Sequence, residues 1–560
     1  MGRKSHSKQS AKKSSGKENY KLSQNIRKEL AVYVDKLLKL TSVFQTTVNL
    51  TKSWEHHNDI EAILGEIRNI EYPINSHKVS KSRQSRKDNF FSWLSENGAA
   101  FEDIDIQEFE GYDLGLVAKK EFKEGSLVLT VPRKLMMTEQ NARDSALSEF
   151  IAVDPLLQNM PNITLALFLL LEKNNPESFW KPYIDVLPEK YSTVLYFTPE
   201  EILELKPSPV FESSLKLYRS IARQYAYFYN KIHTLDLPVL QNLQEIFTYE
   251  NYRWAVSTVM TRQNNLEQST TDTTAFIPLW DMCNHEHGKL TTDFNKELNR
   301  GECYALRDFK PGEQIFIFYG ARPNADLFLH NGFVYADNQH DSLSLALGVS
   351  SSDPHRDTRV ALLSRLGLSG VTHYSLYRGD SPISAELLAF IRIFNMNQGL
   401  LLQYSLEFVV ATLTRVALLS RLGFGVTHYS LYRGDNPISA ELLAFIRIFN
   451  MNQGFGCIGV THYGLYRGDN HISAELLAFI RVFNINQSTA AAVGAELDRR
   501  AYTYLLTRCG LIKAMYKTKD TTDNTHTKNI KLLKQCEVQI LDGAIKYLET
   551  ELQKLPAANN

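Results

Sequence analysis

Trp280-Asp281-Met282-Cys283-Asn284-His285-Glu286-His287 gathers a thiol, two imidazoles and two carboxylates into one short stretch, the densest cluster of reactive side chains in the sequence. Cys283, His285 and His287 can converge on a metal from an extended segment, but no fourth ligand stands nearby to complete a tetrahedral site. The same residues also fit a buried Trp/Met plug whose polar neighbours make caps. Further on, Phe318-Tyr319-Gly320 ends an apolar run with a phenol. By itself that tripeptide is a weak signal, since any edge strand can end in an aromatic and a glycine.

The elements that would position these groups change character along the chain. Residues 1–22 are rich in Ser, Lys and Gln and read as a solvated basic tail. Apolar residues at helical spacing, Leu30, Val34, Leu37 and Leu38, predict a helical lead-in over residues 23–101. Leu116–Ala118 and Ser126–Pro132 are β-type runs around a Lys123-Glu124-Gly125 turn. A helical insert follows over about 136–262, with Asn162 expected to cap Ile163–Glu172, a buried helix at Ser220–Ile232 and another at Tyr249–Thr261. Strands return at Cys303–Leu306 and Ile315–Phe318 around Lys310-Pro311-Gly312-Glu313. Strands interrupted by a helical insert predict an α+β fold, not a doubly wound one.

Residues 321–357 connect this part to a C-terminal domain, 358–560, expected to be all-α. It contains near-identical tandem copies, 358–399, 414–454 and a truncated 459–487. Each reads as a loop leading to a helix capped by Ser384, Ser439 or Ser473. Their irregular spacing and near identity argue for a recent duplication or a gene-model error rather than a solenoid, whose end units should differ. Leu497–Tyr516 and Asn529–Leu555 are expected to pair as antiparallel amphipathic helices.

Bulk properties narrow the function classes. In 560 residues, 62 Lys and Arg balance 62 Asp and Glu, so no global charge draws the chain to nucleic acid or membranes. Five scattered cysteines form no CxxC pair, which points to a reducing compartment without a disulfide framework or structural zinc. The longest apolar stretch, Ile163–Leu171, is about half of a membrane span. A soluble cytoplasmic protein is expected, with the basic tail leaving a nuclear role open.

Taken together, Asn284-His285 and the later Tyr319-Gly320 resemble the paired signature of SET-domain methyltransferases. In that family the two segments cross in a pseudoknot, and Gly111 and Gly115 resemble its first motif, where backbone nears the cofactor. The helical insert and helical C-terminal domain are similar to the Rubisco-methyltransferase-like branch. Within it, Ser95–Ala99, Ala222–Tyr229, Met260–Asn264 and Ile277–His285 resemble the actin-directed histidine N-methyltransferases.

The resemblance implies S-adenosyl-L-methionine as cofactor and the tele nitrogen of an actin histidine as acceptor. It implies cofactor contacts from Arg83 (with Arg86 as rival), Tyr112, Asp113, Leu114, Arg262, Asp281, Met282, Cys283, Asn284, His285, Asn331, Gly332 and Phe333. Tyr319 is the implied catalytic tyrosine. Asn264 is implied in catalysis and, with Trp280 and Arg322, in substrate binding; no metal is implied. The same fold supports a lysine methyltransferase, for which the family tends to place an aromatic where Asn264 stands, or a non-catalytic actin- or chromatin-binding adaptor. A monomer without membrane or nucleic-acid contact is expected.

Overall fold

The computed structural model describes residues 23–43, 49–75, 82–266, 273–401, 489–517 and 524–556. The basic tail and the second and third tandem copies, with Ser439 and Ser473, lie outside the described residues. Contacts divide the described chain into two compact units. One draws on Met1–Leu205, Val210–Asn338 and Thr521–Ile530; the other on Lys206–Pro209, Gln339–Asp520 and Lys531–Asn560.

In the first unit, helical periodicity produces α1 (Gln24–Ser42) and α2 (Leu50–Asn75). Leu30, Val34 and Leu37 of α1 and Ile60, Leu64 and Ile67 of α2 form the stripes buried in the core. α3 (Lys87–Glu96) buries Phe90, Trp93 and Leu94. The strands are β1 (Ile104–Phe109), β2 (Asp113–Ala118), β3 (Leu127–Pro132) and β4 (Met137–Thr138). The β1–β2 hairpin closes with Gly111 at φ +82° and Asp113 at +61°, the left-handed region that glycine and aspartate tolerate best.

The insert supplies α4 (Pro161–Asn174), α5 (Val210–Thr234) and α6 (Tyr249–Arg262). Every residue of α4 from Ile163 to Leu170 is buried, so it is a central helix without a polar face. Asn162 is not its cap: Met160 holds that position and Pro161 opens the helix. Proline is favoured there because the amide it lacks would have no helical partner.

Six further strands follow: β5 (Asn264–Leu266), β6 (Thr273–Phe276), β7 (Asn284–His285), β8 (Thr292–Asn295), β9 (Arg300–Tyr304) and β10 (Gln314–Ile317). They complete three small sheets in the orders β1-β2-β10-β7, β3-β9-β8 and β4-β6-β5. β9 begins earlier than the sequence predicts, because the turn at Asn299, φ +48°, returns the chain directly into the ladder with β8. β10 pairs antiparallel with β2 and parallel with β7. That arrangement carries Tyr319 alongside His285.

The second unit holds β11 (Ser342–Ala346), α7 (Arg356–Arg365), β12 (His373–Tyr377), α8 (Ala385–Asn395), α9 (Thr489–Met515) and the body of α10 (Thr525–Lys554). It is mainly helical, but β11 and β12 form an antiparallel ladder that a purely α reading leaves out. The first tandem copy is therefore not a loop before its capped helix; it contains most of α7 and all of β12. Ser384 does cap α8, accepting from the Leu387 amide at 3.0 Å. α9 and α10 run antiparallel, with Lys513 paired to Asp542 at 2.5 Å and Lys534 donating to the Lys517 carbonyl at 2.8 Å. Arg392 of α8 grips Asp498 of α9 with two hydrogen bonds. Among the described residues no helix is long and apolar enough to cross a membrane.

Candidate active site

The site is assembled by the end of α6, the short segment before β7, and the residues that follow β10. Pro278-Leu279-Trp280 makes a γ-turn. Leu279 takes φ +70° and ψ −50° while the Trp280 amide donates to the Pro278 carbonyl at 2.9 Å. A branched residue in that conformation is strained and must be over-determined by its surroundings. Leu279 is fully buried, and Trp280 packs so closely on β9 that a Cβ on Gly301 would lie 3.1 Å from its ring. The strained turn aims Trp280 and Asp281 at the end of α6.

There, Arg262 donates to the Asp281 carbonyl at 2.6 Å and stands 3.4 Å from its carboxylate. Tyr183 donates to the same carboxylate at 2.5 Å. Burial raises the Asp281 pKa, with Arg262 pulling the other way. Asp281 Oδ1 and Arg262 Nε are buried without a hydrogen-bond partner. Arg83 pairs with Asp113 at 2.5 Å and donates to the Val186 carbonyl at 2.8 Å. Its pKa is lowered by burial and next by Arg262, which places two guanidinium groups in one neighbourhood. Arg86 instead donates to the Asp185 carbonyl at 2.6 Å, so the structure brings Arg83, not its rival, to this cluster.

Asn284 and Tyr319 are fixed by long-range bonds. The Asn284 carboxamide donates to Gln314 Oε1 at 2.7 Å and, less closely, to the Leu114 carbonyl at 3.3 Å. A Cβ on Gly115 would collide with both carboxamides, at 2.6 and 2.9 Å. Gly115 therefore makes room for Asn284 and Gln314, a different reason for a glycine than the approach to a cofactor that the motif resemblance implies. Tyr319 donates through its hydroxyl to the Cys283 carbonyl at 2.7 Å, and its amide donates to His285 Nδ1 at 3.2 Å. Burial raises the Tyr319 pKa against the pull of Arg262, so the group is a neutral phenol.

Beside these groups opens a cleft of about 540 Å³, lined by Asn264, Trp280, Asp281, Tyr319, Arg322 and Asn331 among others. Arg322 donates to Asn331 Oδ1 at 2.8 Å. Asn264 donates to the Arg262 carbonyl at 3.1 Å, which leaves its carbonyl oxygen available. Phe333 packs against His285 and Tyr319, with ring centres 5.9 and 6.2 Å away. Tyr112, 45 % exposed, meets Phe316 edge-on, so it stands further out than the rest.

His285 is buried among aromatic rings, whereas His287 is exposed and meets the edge of Phe318. Among the described residues no three His, Cys, Asp or Glu side chains gather to hold a metal. Sequence reasoning missed Tyr183, which anchors Asp281 from 98 positions away, and the cleft residues Gln224 and His330. Tyr183 and His330 carry no local signal, whereas Gln224 lies within the Ala222–Tyr229 motif, which by itself assigns it no place in the site.

Comparison with known proteins agrees with this geometry. Residues 113–320 match the SET domain family model, and residues 350–407 match that of the Rubisco LSMT substrate-binding domain. The chain is 43% identical over 379 residues to an actin-histidine N-methyltransferase of Gallus gallus, covering 66% of this chain and 63% of that protein. It is 43% identical over 349 residues to a protein of the same name from Canis lupus familiaris, covering 62% and 59%. The chain thus spans less than two thirds of the length of these relatives. Among solved structures, the SET domain of LSMT bound to lysine and AdoHcy aligns with TM-score 0.56 at 17% identity, over 85% of this chain and 93% of that one. Rubisco LSMT bound to AdoMet aligns with TM-score 0.54 at 18% identity, over the same shares. These likenesses show the fold: a SET domain followed by a largely helical region.

Proposed function

We propose that this chain, a SET fold with a Rubisco LSMT-type substrate-binding region, is a protein-histidine N-methyltransferase. It uses S-adenosyl-L-methionine and acts on the tele nitrogen of an actin histidine. The observation that carries the acceptor choice is Asn264, an amide with an available oxygen lining the same cleft as Trp280 and Tyr319. The names of the relatives in chicken and dog support it.

The residues around Asp281 suit a zwitterionic amino-acid moiety. Arg83 and Arg262 offer positive charge for a carboxylate, and the unpartnered Asp281 Oδ1 and Arg262 Nε offer polar atoms still to be satisfied. S-adenosyl-L-methionine, when bound, supplies an electrophilic methyl group on a sulfonium. Arg83, Arg262, Asp281 and the backbone of 282–285 would hold it.

Methyl transfer creates no new anion, so the protein's task is mainly alignment. The Tyr319 oxygen and the Cys283 carbonyl can accept weak C–H···O contacts. The Asn264 oxygen can accept a hydrogen bond from the N–H of one imidazole nitrogen and so present the other with its lone pair free. A histidine acceptor is deprotonated above its ordinary pKa of about 6.5 and requires no strong base, whereas a lysine near about 10.4 must first lose a proton.

The test is methyl transfer from labelled cofactor to an actin-derived histidine peptide and to its lysine-substituted counterpart. The histidine peptide should be labelled, with kcat/KM rising through a pKa near roughly 6.5 and levelling at neutral pH. Labelling of the lysine peptide alone would sink the acceptor assignment. Undetectable cofactor affinity by calorimetry would favour the non-catalytic adaptor.

A further inference from the structure

Gly332 lies at a junction that the cleft depends on. At φ +79° it ends the turn Leu327–Asn331, its amide donating to the carbonyls of Leu327 at 2.9 Å and Phe328 at 3.2 Å. A Cβ there would stand 2.7 Å from the Ser192 carbonyl carbon, so backbone presses directly on it. Its own carbonyl accepts a hydrogen bond at 2.8 Å from the carboxamide of Asn529, near the start of α10 and 197 positions further along the chain. On either side of Gly332 stand Asn331, which holds Arg322 in the cleft, and Phe333, which packs on Tyr319 and His285.

The start of α10 is itself fastened within the same unit. His526 Nδ1 meets Glu201 Oε2 at 2.9 Å, and Asn524 donates to Glu201 Oε1 at 2.8 Å. The His526 ring stacks on Phe197 at 4.3 Å, and Phe197 meets Phe328 edge-on at 5.7 Å. Glu201 is buried and also closes the capping box of Thr198. An imidazole–carboxylate contact and a stacked ring thus fasten the start of α10, and the Asn529 carboxamide and the Phe197 ring meet the short turn beside the cleft.

We infer that Asn529 is a positioning residue for the methyl-transfer site. By fixing the Gly332 carbonyl it holds Asn331 and Phe333, and through them Arg322 and the ring of Tyr319, in register with the cleft. The final helix of the chain thereby supplies part of the site's supporting shell. This inference rests on the methyltransferase reading for its kinetic readout but not for its structural one.

The test compares wild type, Asn529→Ala, the isosteric Asn529→Asp, which loses the donor, and Asn529→Gln, which keeps it, all in the full chain. Losing one hydrogen bond to a positioned carbonyl should raise KM for the actin histidine peptide about tenfold in the Ala and Asp variants, with kcat changed by less than about threefold. Amide exchange of residues 331–333 should quicken in both variants, and Asn529→Gln should recover most of the KM. A KM equal to wild type in Ala and Asp, whatever their melting temperature, overturns the inference. If the wild type methylates no histidine, the functional reading fails instead; exchange at 331–333 then decides the clamp alone, and unchanged exchange in Ala and Asp overturns it.

Discussion

At the scale of single residues, several polar groups of the site are held by partners far away in sequence. Tyr319 is the clearest case: the Cys283 carbonyl fixes its hydroxyl, and burial keeps it protonated. Removing that oxygen in Tyr319→Phe leaves the ring contacts with His285 and Phe333 in place. We expect kcat for the histidine peptide to fall on the order of a hundredfold, while calorimetric cofactor affinity changes little. A variant that retains wild-type kcat would show that the phenol oxygen has no part in alignment. The types of Asn284, His285 and Tyr319 were legible in the sequence because they sit in compact motifs. The choice between Arg83 and Arg86 was not, because it is decided by Asp113, Arg262 and Asp281 in three dimensions. Nor was the strain at Leu279, which no propensity of leucine announces.

At the scale of elements, the long helices were readable and the short ladders were not. α5 buries a repeating face that its sequence states openly, whereas α6 is buried on nearly every side from Trp254 to Val259. β4, β5, β6 and β7 span two to four residues each, too few for an alternation to be recognised, and they exist because neighbouring strands complete their hydrogen bonds. The junction of β2, β10 and β7 shows what such pairing demands. Gly115 on β2 leaves the space that the Asn284 and Gln314 carboxamides occupy. Gly115→Ala should drive its methyl into those two groups and part their 2.7 Å hydrogen bond. Such overpacking costs about 1–3 kcal/mol. Denaturant unfolding should show that loss together with weakened cofactor binding, and a variant as stable as wild type would contradict the packing read at this junction.

At the scale of the whole molecule, each unit encloses its own apolar core, and each contains, among the described residues, a buried acid whose ionisation burial opposes strongly. Glu71 accepts from the Tyr225 hydroxyl at 2.6 Å and from the Tyr249 amide at 2.8 Å, tying α2 to α5 and α6. Glu537, on α10 in the second unit, accepts from the Ser208 hydroxyl at 2.7 Å. Burial lifts both carboxyls from the usual 4.5 to about 8. The native state therefore holds protons that the unfolded chain has released. Each acid's contribution to stability is full below about pH 4.5, declines as pH rises, and is lost once pH passes about 8. The slope cannot exceed roughly 1.4 kcal/mol per pH unit for each group. Glutamine at either position keeps an acceptor oxygen and cannot ionise. Glu71→Gln should flatten the pH dependence of hydrogen-exchange protection in α2, α5 and α6 between about pH 5 and 8, after correction for intrinsic exchange. Glu537→Gln should do the same for α9 and the body of α10. Because the two acids lie in separate cores, neither substitution should alter the pH response of the other unit. A single substitution that flattens both responses would mean that the two cores share one proton-linked transition.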